Sequence, residues 1–248
     1  MTILVTRPSP AGEELVRRLR LTGKTAYSFP LIEFAPGKEL AQLPTMLAAL
    51  PPDSLVFALS QHVIHFAGPL LRQSGIGWPK ELNWFAIGRT TALALHAASH
   101  LTVHYPHDKE TSEVLLQLPE LQNISGKQVL ILRGNGGREL LGKTLQERGA
   151  KVDFCECYQR NEINYNGMEE AWRWSEKNVS TLVVTSGEML QQLHTLIPAW
   201  YRENWLTQCQ LLVVSERLAS LARDLGWQDI RVADNADNDA LLRALQLT

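Results

Sequence analysis

The chain has 248 residues, of which 45% are apolar and 20% are charged, and this composition excludes disordered, collagen-like and coiled-coil proteins. Its formal net charge of −2 provides no basic field that would attract nucleic acid or an anionic membrane, so we expect neither as a partner. The length allows two modest domains as readily as one large domain.

Short apolar runs alternate with helical patterns along the chain. The predicted strands are residues 3–6, 26–29, 55–58, 84–87, 102–105, 129–132, 152–157, 182–185, 211–214 and 230–233. Apolar residues recur at helical spacing between most of them, as at Leu15 and Leu19 and again at Leu141 and Leu145. Strands that alternate with helices form parallel sheets covered on both faces. Ten strands are more than one compact sheet of usual width needs.

The two halves of the chain are related by a nearly constant offset. The segment from residue 3 to residue 34 aligns without a gap on the segment 126 positions later, so that Arg7 meets Arg133. Further along, Ser60 falls on Ser186 at the same offset. Chance similarity between two βα units is the alternative, but the constancy of the offset favours two structurally related halves of five strands each.

The two halves need not be the two domains. Residues 29–37 contain two prolines and a glycine in an extended context, which suits a segment that leaves one domain. Their counterpart leads into a polar run at 161–167. The residues alone do not choose between two consecutive halves and an interleaved order. In the interleaved order the domains are 1–33 plus 165–248 and 38–155, with interdomain crossings at 34–37 and 156–164.

A glycine-rich turn after the strand at 129–132 is a candidate anion site, because ligands of open parallel sheets bind beyond the carboxyl ends of the strands. The turn runs Arg133-Gly134-Asn135-Gly136-Gly137-Arg138 and opens a helix. Backbone N–H groups at a helix start and two arginines can bind carboxylate or phosphate. A tight turn whose glycines serve only the backbone path is the alternative. The segment matches neither the dinucleotide fingerprint nor the P-loop, so we expect no nucleotide cofactor.

Two more strand-to-helix turns carry small residues and hydroxyl groups. They are Gly88-Arg89-Thr90-Thr91 and Thr185-Ser186-Gly187. Each can present N–H and O–H donors to an acidic ligand, and each can equally be an ordinary helix N-cap. Ser186 does not lie in a G-x-S-x-G elbow, which disfavours a hydrolase nucleophile.

The histidines do not form a metal signature. The pairs His62/His65 and His96/His100 have helical spacing, but neither accompanies an H-E-x-x-H motif or a cysteine set. We therefore interpret them as solvated helical residues and expect no metal.

The N-terminus and the cysteines indicate a cytoplasmic protein. Residues 1–8 lack the basic region and long apolar stretch of a signal peptide, and no window approaches the ~20 apolar residues of a membrane span. Cys155, Cys157 and Cys209 are an odd number, and the first two alternate in one strand-like run, as expected for reduced thiols.

Taken together, these segments resemble the uroporphyrinogen-III synthase family, in its enterobacterial-like branch, over essentially the whole chain. The resemblance is carried by residues 3–8, 30–34, 57–60, 85–92, 130–139, 155–160, 183–188 and 232–240. It implies two related parallel-sheet α/β domains, joined by a two-stranded β linker in the interleaved order.

The resemblance also implies a cofactor-free lyase reaction. The linear octacarboxylate hydroxymethylbilane would lose its hydroxyl group to give an azafulvene. Attack by the substituted carbon of ring D would then give a spiro-pyrrolenine, which reopens and closes as uroporphyrinogen III with ring D inverted. The implied partners are this substrate and, transiently, hydroxymethylbilane synthase, and the implied state is a monomer.

The resemblance adds a catalytic candidate to the strand-end turns, and it places Thr91 and Ser186 at positions that match the family's cleft. A tyrosine at the second crossing is the family's favoured proton donor, and Tyr158 matches it, since a phenol with a pKa near ~10 is protonated at neutral pH. A tyrosine that only packs between the domains is the alternative. Arg217 stands where some relatives have threonine, so no role is carried over to it. The substrate-binding candidates are Arg7, Ser60, Gly88, Arg89, Thr91, Arg133, Gly134, Gly136, Gly137, Arg138, Ser186, Gly187 and Ser215.

A non-catalytic two-domain protein that binds a small anion is the competing class, because fold does not determine function. It predicts binding without turnover.

Overall fold

A computed structural model describes residues 1–246 of the chain. The chain divides into two compact units, the first formed by Met1–Phe34 with Asn161–Thr248 and the second by Ala35–Arg160. The second unit is therefore inserted into the first, and the predicted interleaved order is confirmed.

Strands and helices alternate through both units. Across residues 1–246 the strands are β1 (Thr2–Val5), β2 (Thr25–Ser28), β3 (Ile32–Pro36), β4 (Leu55–Ala58), β5 (Asn83–Ala86), β6 (Val103–His104), β7 (Gln128–Arg133), β8 (Lys151–Glu156), β9 (Tyr158–Glu162), β10 (Thr181–Val183), β11 (Gln210–Val213) and β12 (Ile230–Val232). The α-helices in the same range are α1 (Ala11–Leu21), α2 (Leu43–Ala49), α3 (Gln61–Ser74), α4 (Arg89–Ser99), α5 (Ser112–Leu115), α6 (Leu140–Glu147), α7 (Gly167–Glu176), α8 (Gly187–Leu196), α9 (Ala199–Asn204), α10 (Glu216–Asp224) and α11 (Asn238–Gln246). Within residues 1–246, no helix is both long and apolar enough to cross a membrane.

Each unit is built on a parallel five-stranded sheet. The order is β12-β11-β10-β1-β2 in the first unit and β6-β5-β4-β7-β8 in the second. All the registered pairs in both sheets are parallel. If β1 is matched with β7 and β10 with β4, the two orders are the same. The predicted relation between the halves is therefore confirmed at the level of topology.

Alternation along the strands gives each sheet an apolar layer on both faces, because successive side chains of a strand point to opposite sides. In β1, Ile3 and Val5 belong to a cluster with α1 and α11, whereas Leu4 belongs to a cluster with α7, α8 and α10. In the second unit, Leu130 and Leu132 of β7 lie on one face and Val129 and Ile131 on the other.

The two chain crossings, β3 and β9, pair with each other as a two-stranded sheet. The N–H of Ile163 donates to the carbonyl of Leu31 at 2.9 Å, and the N–H of Gly37 donates to the carbonyl of Cys157 at 3.0 Å. Residue numbers rise on one strand as they fall on the other, so the pair is antiparallel. The predicted two-stranded linker is confirmed.

An ion pair on α7 with a buried carboxylate provides a stability test of the first unit. Glu170 has a side chain 6% exposed and is paired with Arg173, whose Nη1 lies 2.8 Å from Oε1. Arg173→Ala is expected to lower the free energy of unfolding by roughly 1–3 kcal/mol, because it leaves a buried carboxylate without this partner. Denaturant unfolding measures the loss.

Arg17→Ala is the matched control on α1. Its pair with Glu14 has the same i, i+3 spacing, but the side chains are 62% and 46% exposed. Exposed pairs contribute little to stability, so no resolvable change in the free energy of unfolding is expected. Equal losses in the two variants would contradict the assignment of Glu170 as a buried, paired carboxylate.

Candidate functional site

Tyr158, the predicted proton donor, begins β9 and is half-buried against the apolar cluster on one face of the second unit's sheet. The turn after β7 approaches its ring closely. A Cβ atom added at Gly134 would lie 2.7 Å from Cε2 and Cζ of Tyr158 and 3.0 Å from its hydroxyl oxygen. Only glycine at position 134 leaves room for the phenol where it now lies.

Two aromatic side chains of α3 contact the same ring. The centroid of His62 lies 5.4 Å from that of Tyr158 at an interplanar angle of 49°, and Phe66 lies nearly parallel to it at 6.4 Å. Ser60 is the N-cap of α3, and its Oγ accepts the N–H of His62 at 3.1 Å. The cap fixes where the helix begins and therefore where His62 lies. The interpretation of His62 as a solvated residue was wrong, since this side chain is half-buried beside Tyr158.

The surroundings of His62 favour its neutral form. Burial lowers the pKa of this imidazole below its usual value of 6.5, and the neighbouring charges of His65 and Arg160 lower it further. At neutral pH, His62 therefore presents an uncharged ring to Tyr158.

Stability is expected to fall as the pH drops below about 6.5, in part through His62. The unfolded chain takes up this proton near pH 6.5, whereas the folded chain resists it because its His62 pKa is lower. His62→Phe should remove part of that loss between pH 7.5 and pH 5 in thermal unfolding. An identical pH dependence in the variant would contradict the lowered pKa.

The glycine turn lines a pocket of about 410 Å³ in the second unit. Gly137 has a φ of 127°, a conformation that favours glycine, whereas Gly136 has open space around it. The pocket wall carries both signs of charge, with Lys38 and Arg133 beside three glutamates. The turn can offer N–H groups to an anion here, but the pocket is not purely cationic.

The two arginines of the turn are already engaged. The guanidinium of Arg133 lies 4.0 Å from the ring centroid of Phe154, on the sheet face opposite to that of Tyr158. Arg138 forms an exposed ion pair with Glu113. The structure therefore does not bring these two guanidinium groups to the phenol.

The turn after β5 already holds a carboxylate of the chain itself. Glu110 accepts the N–H of Arg89 at 2.8 Å, and a Cβ at Gly88 would lie 2.3 Å from its Cδ. This helix start therefore has the predicted chemistry, with Glu110 as its occupant. Thr91 is buried, with only 6% of its surface exposed, whereas a residue that donates to a ligand was expected to be accessible.

The candidates of the first unit follow three neighbouring strands, β1, β10 and β11. Arg7 donates from Nη1 to Oδ1 of Asn238 at 2.8 Å, and burial lowers its pKa against the opposing effect of Asp237. Ser186 and Ser215 are N-caps, each accepting a helix N–H at 3.2 Å. Gly187 is the first residue of α8. A cap uses the hydroxyl oxygen as an acceptor, so the hydroxyl hydrogen remains available for donation.

Three residues that lie beside the candidate site residues were not predicted from the sequence, namely Phe66, Glu110 and Lys38. The placement of Phe66 four residues after His62, on the same face of a helix, was the one available signal. Nothing in the spacing of Glu110 or Lys38 indicates their contacts.

In the described part of the chain, the cysteines and the acidic side chains form neither an activated thiol nor a cluster that could hold a metal. All three cysteines are buried; the hydrogen bond with Cys155 and burial raise the pKa of Cys157, and burial raises that of Cys209 to about 12. Thiols of this kind are poor nucleophiles. Among residues 1–246, no group of three His, Cys, Asp or Glu side chains is arranged to hold a metal ion.

Solved structures with the same fold come from two bacteria. A mutant uroporphyrinogen III synthase from Thermus thermophilus has a TM-score of 0.65 at 20% identity, covering 100% of both chains. Uroporphyrinogen-III synthetase from Helicobacter pylori 26695 has a TM-score of 0.55 at 16% identity, covering 100% of this chain and 99% of that one. These likenesses concern the fold alone.

Sequence comparison identifies the family. A family model described as uroporphyrinogen-III synthase HemD matches residues 13–243. The uroporphyrinogen-III synthase of Escherichia coli (strain K12) is 68% identical over 246 residues, which cover 99% of this chain and 100% of that protein. The protein of the same name from Salmonella typhimurium is 67% identical over the same coverage. The chain thus belongs to the uroporphyrinogen-III synthase family.

Proposed function

We propose that this protein converts hydroxymethylbilane to uroporphyrinogen III as a cofactor-independent lyase. The observation that carries the proposal is the 68% identity, over 99% of the chain, to a protein named uroporphyrinogen-III synthase. A non-catalytic anion-binding protein, the competing class, has no support in these matches.

Tyr158 is the proposed acid of the first step. Its phenol donates a proton to the departing hydroxyl group, the C–O bond breaks, and water leaves, which gives the N-protonated azafulvene beside the phenolate of Tyr158. Ring D then attacks through its substituted carbon, the spiro-pyrrolenine reopens, and the macrocycle closes. A proton lost from ring D at closure balances the one that the phenol donated. The half-buried position of Tyr158, held between Gly134 and the rings of α3, supports this role.

Carboxylate binding is assigned to the strand-end turns of each unit. In the second unit these are Ser60, the start of α4 and the glycine turn; in the first they are Arg7 and the caps Ser186 and Ser215. Helix N-termini and glycine N–H groups bind carboxylates without a net positive protein, which agrees with the net charge of −2. Glu110 supports the chemistry assigned to the start of α4, because its carboxylate already lies there, and a substrate carboxylate that binds at this turn has to displace it.

The test supplies hydroxymethylbilane to purified protein that has been dialysed against a chelator, with no nucleotide added. Analysis of the oxidised products is expected to show the type III isomer. Product of type I alone would refute the function. Activity that the chelator abolishes and a metal restores would refute cofactor independence.

We also infer a cytoplasmic monomer that receives its substrate during transient contact with hydroxymethylbilane synthase. Free hydroxymethylbilane closes spontaneously to the uninverted type I isomer, so a short transfer path preserves the substrate. Sedimentation equilibrium is expected to give the mass of one chain, and a stable dimer would contradict this.

A further inference from the structure

Three residues from two segments of the second unit border the half-buried ring of Tyr158. Gly134 borders the edge that carries the hydroxyl group, while His62 and Phe66, one helical turn apart, contact the ring from α3. We name these three residues the tyrosine slot.

We propose that the tyrosine slot positions the phenol for proton donation, with Gly134 as its most restrictive member and His62 and Phe66 as further positioning residues. The proposal rests on the proposed role of Tyr158 in the reaction. It assigns to Gly134 a function beyond carboxylate binding, because the absent side chain is what the phenol requires.

The geometry predicts how a substitution acts. A methyl group at position 134 would approach Cζ of Tyr158 to 2.7 Å, well inside an ordinary carbon–carbon contact of ~3.5–4 Å. The ring must then move by about 1 Å, and its hydroxyl moves with it. A displacement of that size at a reacting group lowers turnover by up to roughly 100-fold. Gly134→Ala is therefore expected to lower kcat by about 10–100-fold.

A double-mutant cycle separates positioning from carboxylate binding. Tyr158→Phe keeps the ring but removes the proton donor. In that background, a displacement of the ring should therefore have little effect on kcat. Gly134→Ala is expected to lower kcat in the wild-type background and to change it by less than about 3-fold in Tyr158→Phe. Thermal unfolding of all four proteins verifies that each is folded.

Variants of His62 test the same slot without altering the turn. His62→Ala is expected to lower kcat several-fold with little change in KM, and His62→Phe to restore it, because the proposed contribution of His62 is ring packing. Gln73→Ala is the control, an exposed position on the same helix, and should keep wild-type kcat. These variants also decide the question if Gly134→Ala does not fold.

The possible failures are distinguishable. Absence of type III product from the wild-type protein overturns the proposed function. Wild-type kcat in Tyr158→Phe overturns the role of the tyrosine and the positioning proposal with it. A defective Tyr158→Phe, combined with equal losses from Gly134→Ala in both backgrounds or with no effect of His62→Ala, overturns the positioning proposal alone.

Discussion

Tyr158→Phe is expected to lower the turnover of hydroxymethylbilane by roughly 10–10⁴-fold, the scale of losing one acid or hydrogen bond in a transition state. The product should shift toward the type I isomer, because spontaneous closure then outpaces the enzyme. The phenyl ring retains its contacts with His62 and Phe66, so the free energy of unfolding should change by no more than ~1 kcal/mol. Product isomers and thermal midpoints, compared with wild type, measure both effects.

Tyr105→Phe is the matched control for that experiment. Tyr105 is a half-buried tyrosine of the same unit, with its ring packed on His107, and it has no proposed part in the reaction. Its variant should keep both turnover and isomer ratio. Wild-type values in Tyr158→Phe as well would remove the phenol from the mechanism and leave control of substrate conformation to the other donors.

Local patterns were enough to predict most of the fold. Every predicted strand lies within two residues of an observed one at each end, because buried parallel strands form short apolar runs that stand out from the helices between them. The constant offset that aligns Arg7 with Arg133 predicted the duplication. The structure agrees, because matched strands occupy the same positions in the two sheets. The pairing of β3 with β9 joins two segments that are far apart in sequence, so the residue pattern alone did not predict it.

The candidate site was less predictable because its contacts join segments that are far apart in sequence. Nothing near Tyr158 in the chain indicates that Gly134 or His62 lies against its ring. Arg133 is a different case, since Leu132 faces the Tyr158 side of the sheet and alternation places the next side chain on the other face. Strand periodicity was therefore sufficient to separate Arg133 from the phenol, although Arg133 was predicted only as part of the candidate anion site at the glycine turn.

Gly37→Ala is expected to destabilise the second unit by roughly 3–5 kcal/mol, the range of the most damaging point substitutions. A Cβ at this position would lie 2.0 Å from the carbonyl oxygen of Glu156 and 2.6 Å from the carbonyl carbon of Cys157. Both are backbone atoms, so no side-chain rotation relieves the overlap and the strands must separate. Separation would also break the hydrogen bond from Gly37 to Cys157, which is 3.0 Å long.

Thermal unfolding of Gly37→Ala, followed beside Gly136→Ala, measures this effect. Gly136 has nothing within 4 Å of a Cβ and no positive φ, so its variant should unfold within the equivalent of ~0.5 kcal/mol of wild type. For Gly37→Ala we expect a midpoint lower by about 6–20 °C, at ~2–4 °C per kcal/mol for a chain of this size. If the two variants unfold together, the close approach of Gly37 to the backbone at Glu156 and Cys157 does not hold in solution. The hydrogen bond from Gly37 to Cys157 would then contribute nothing to the stability of the second unit.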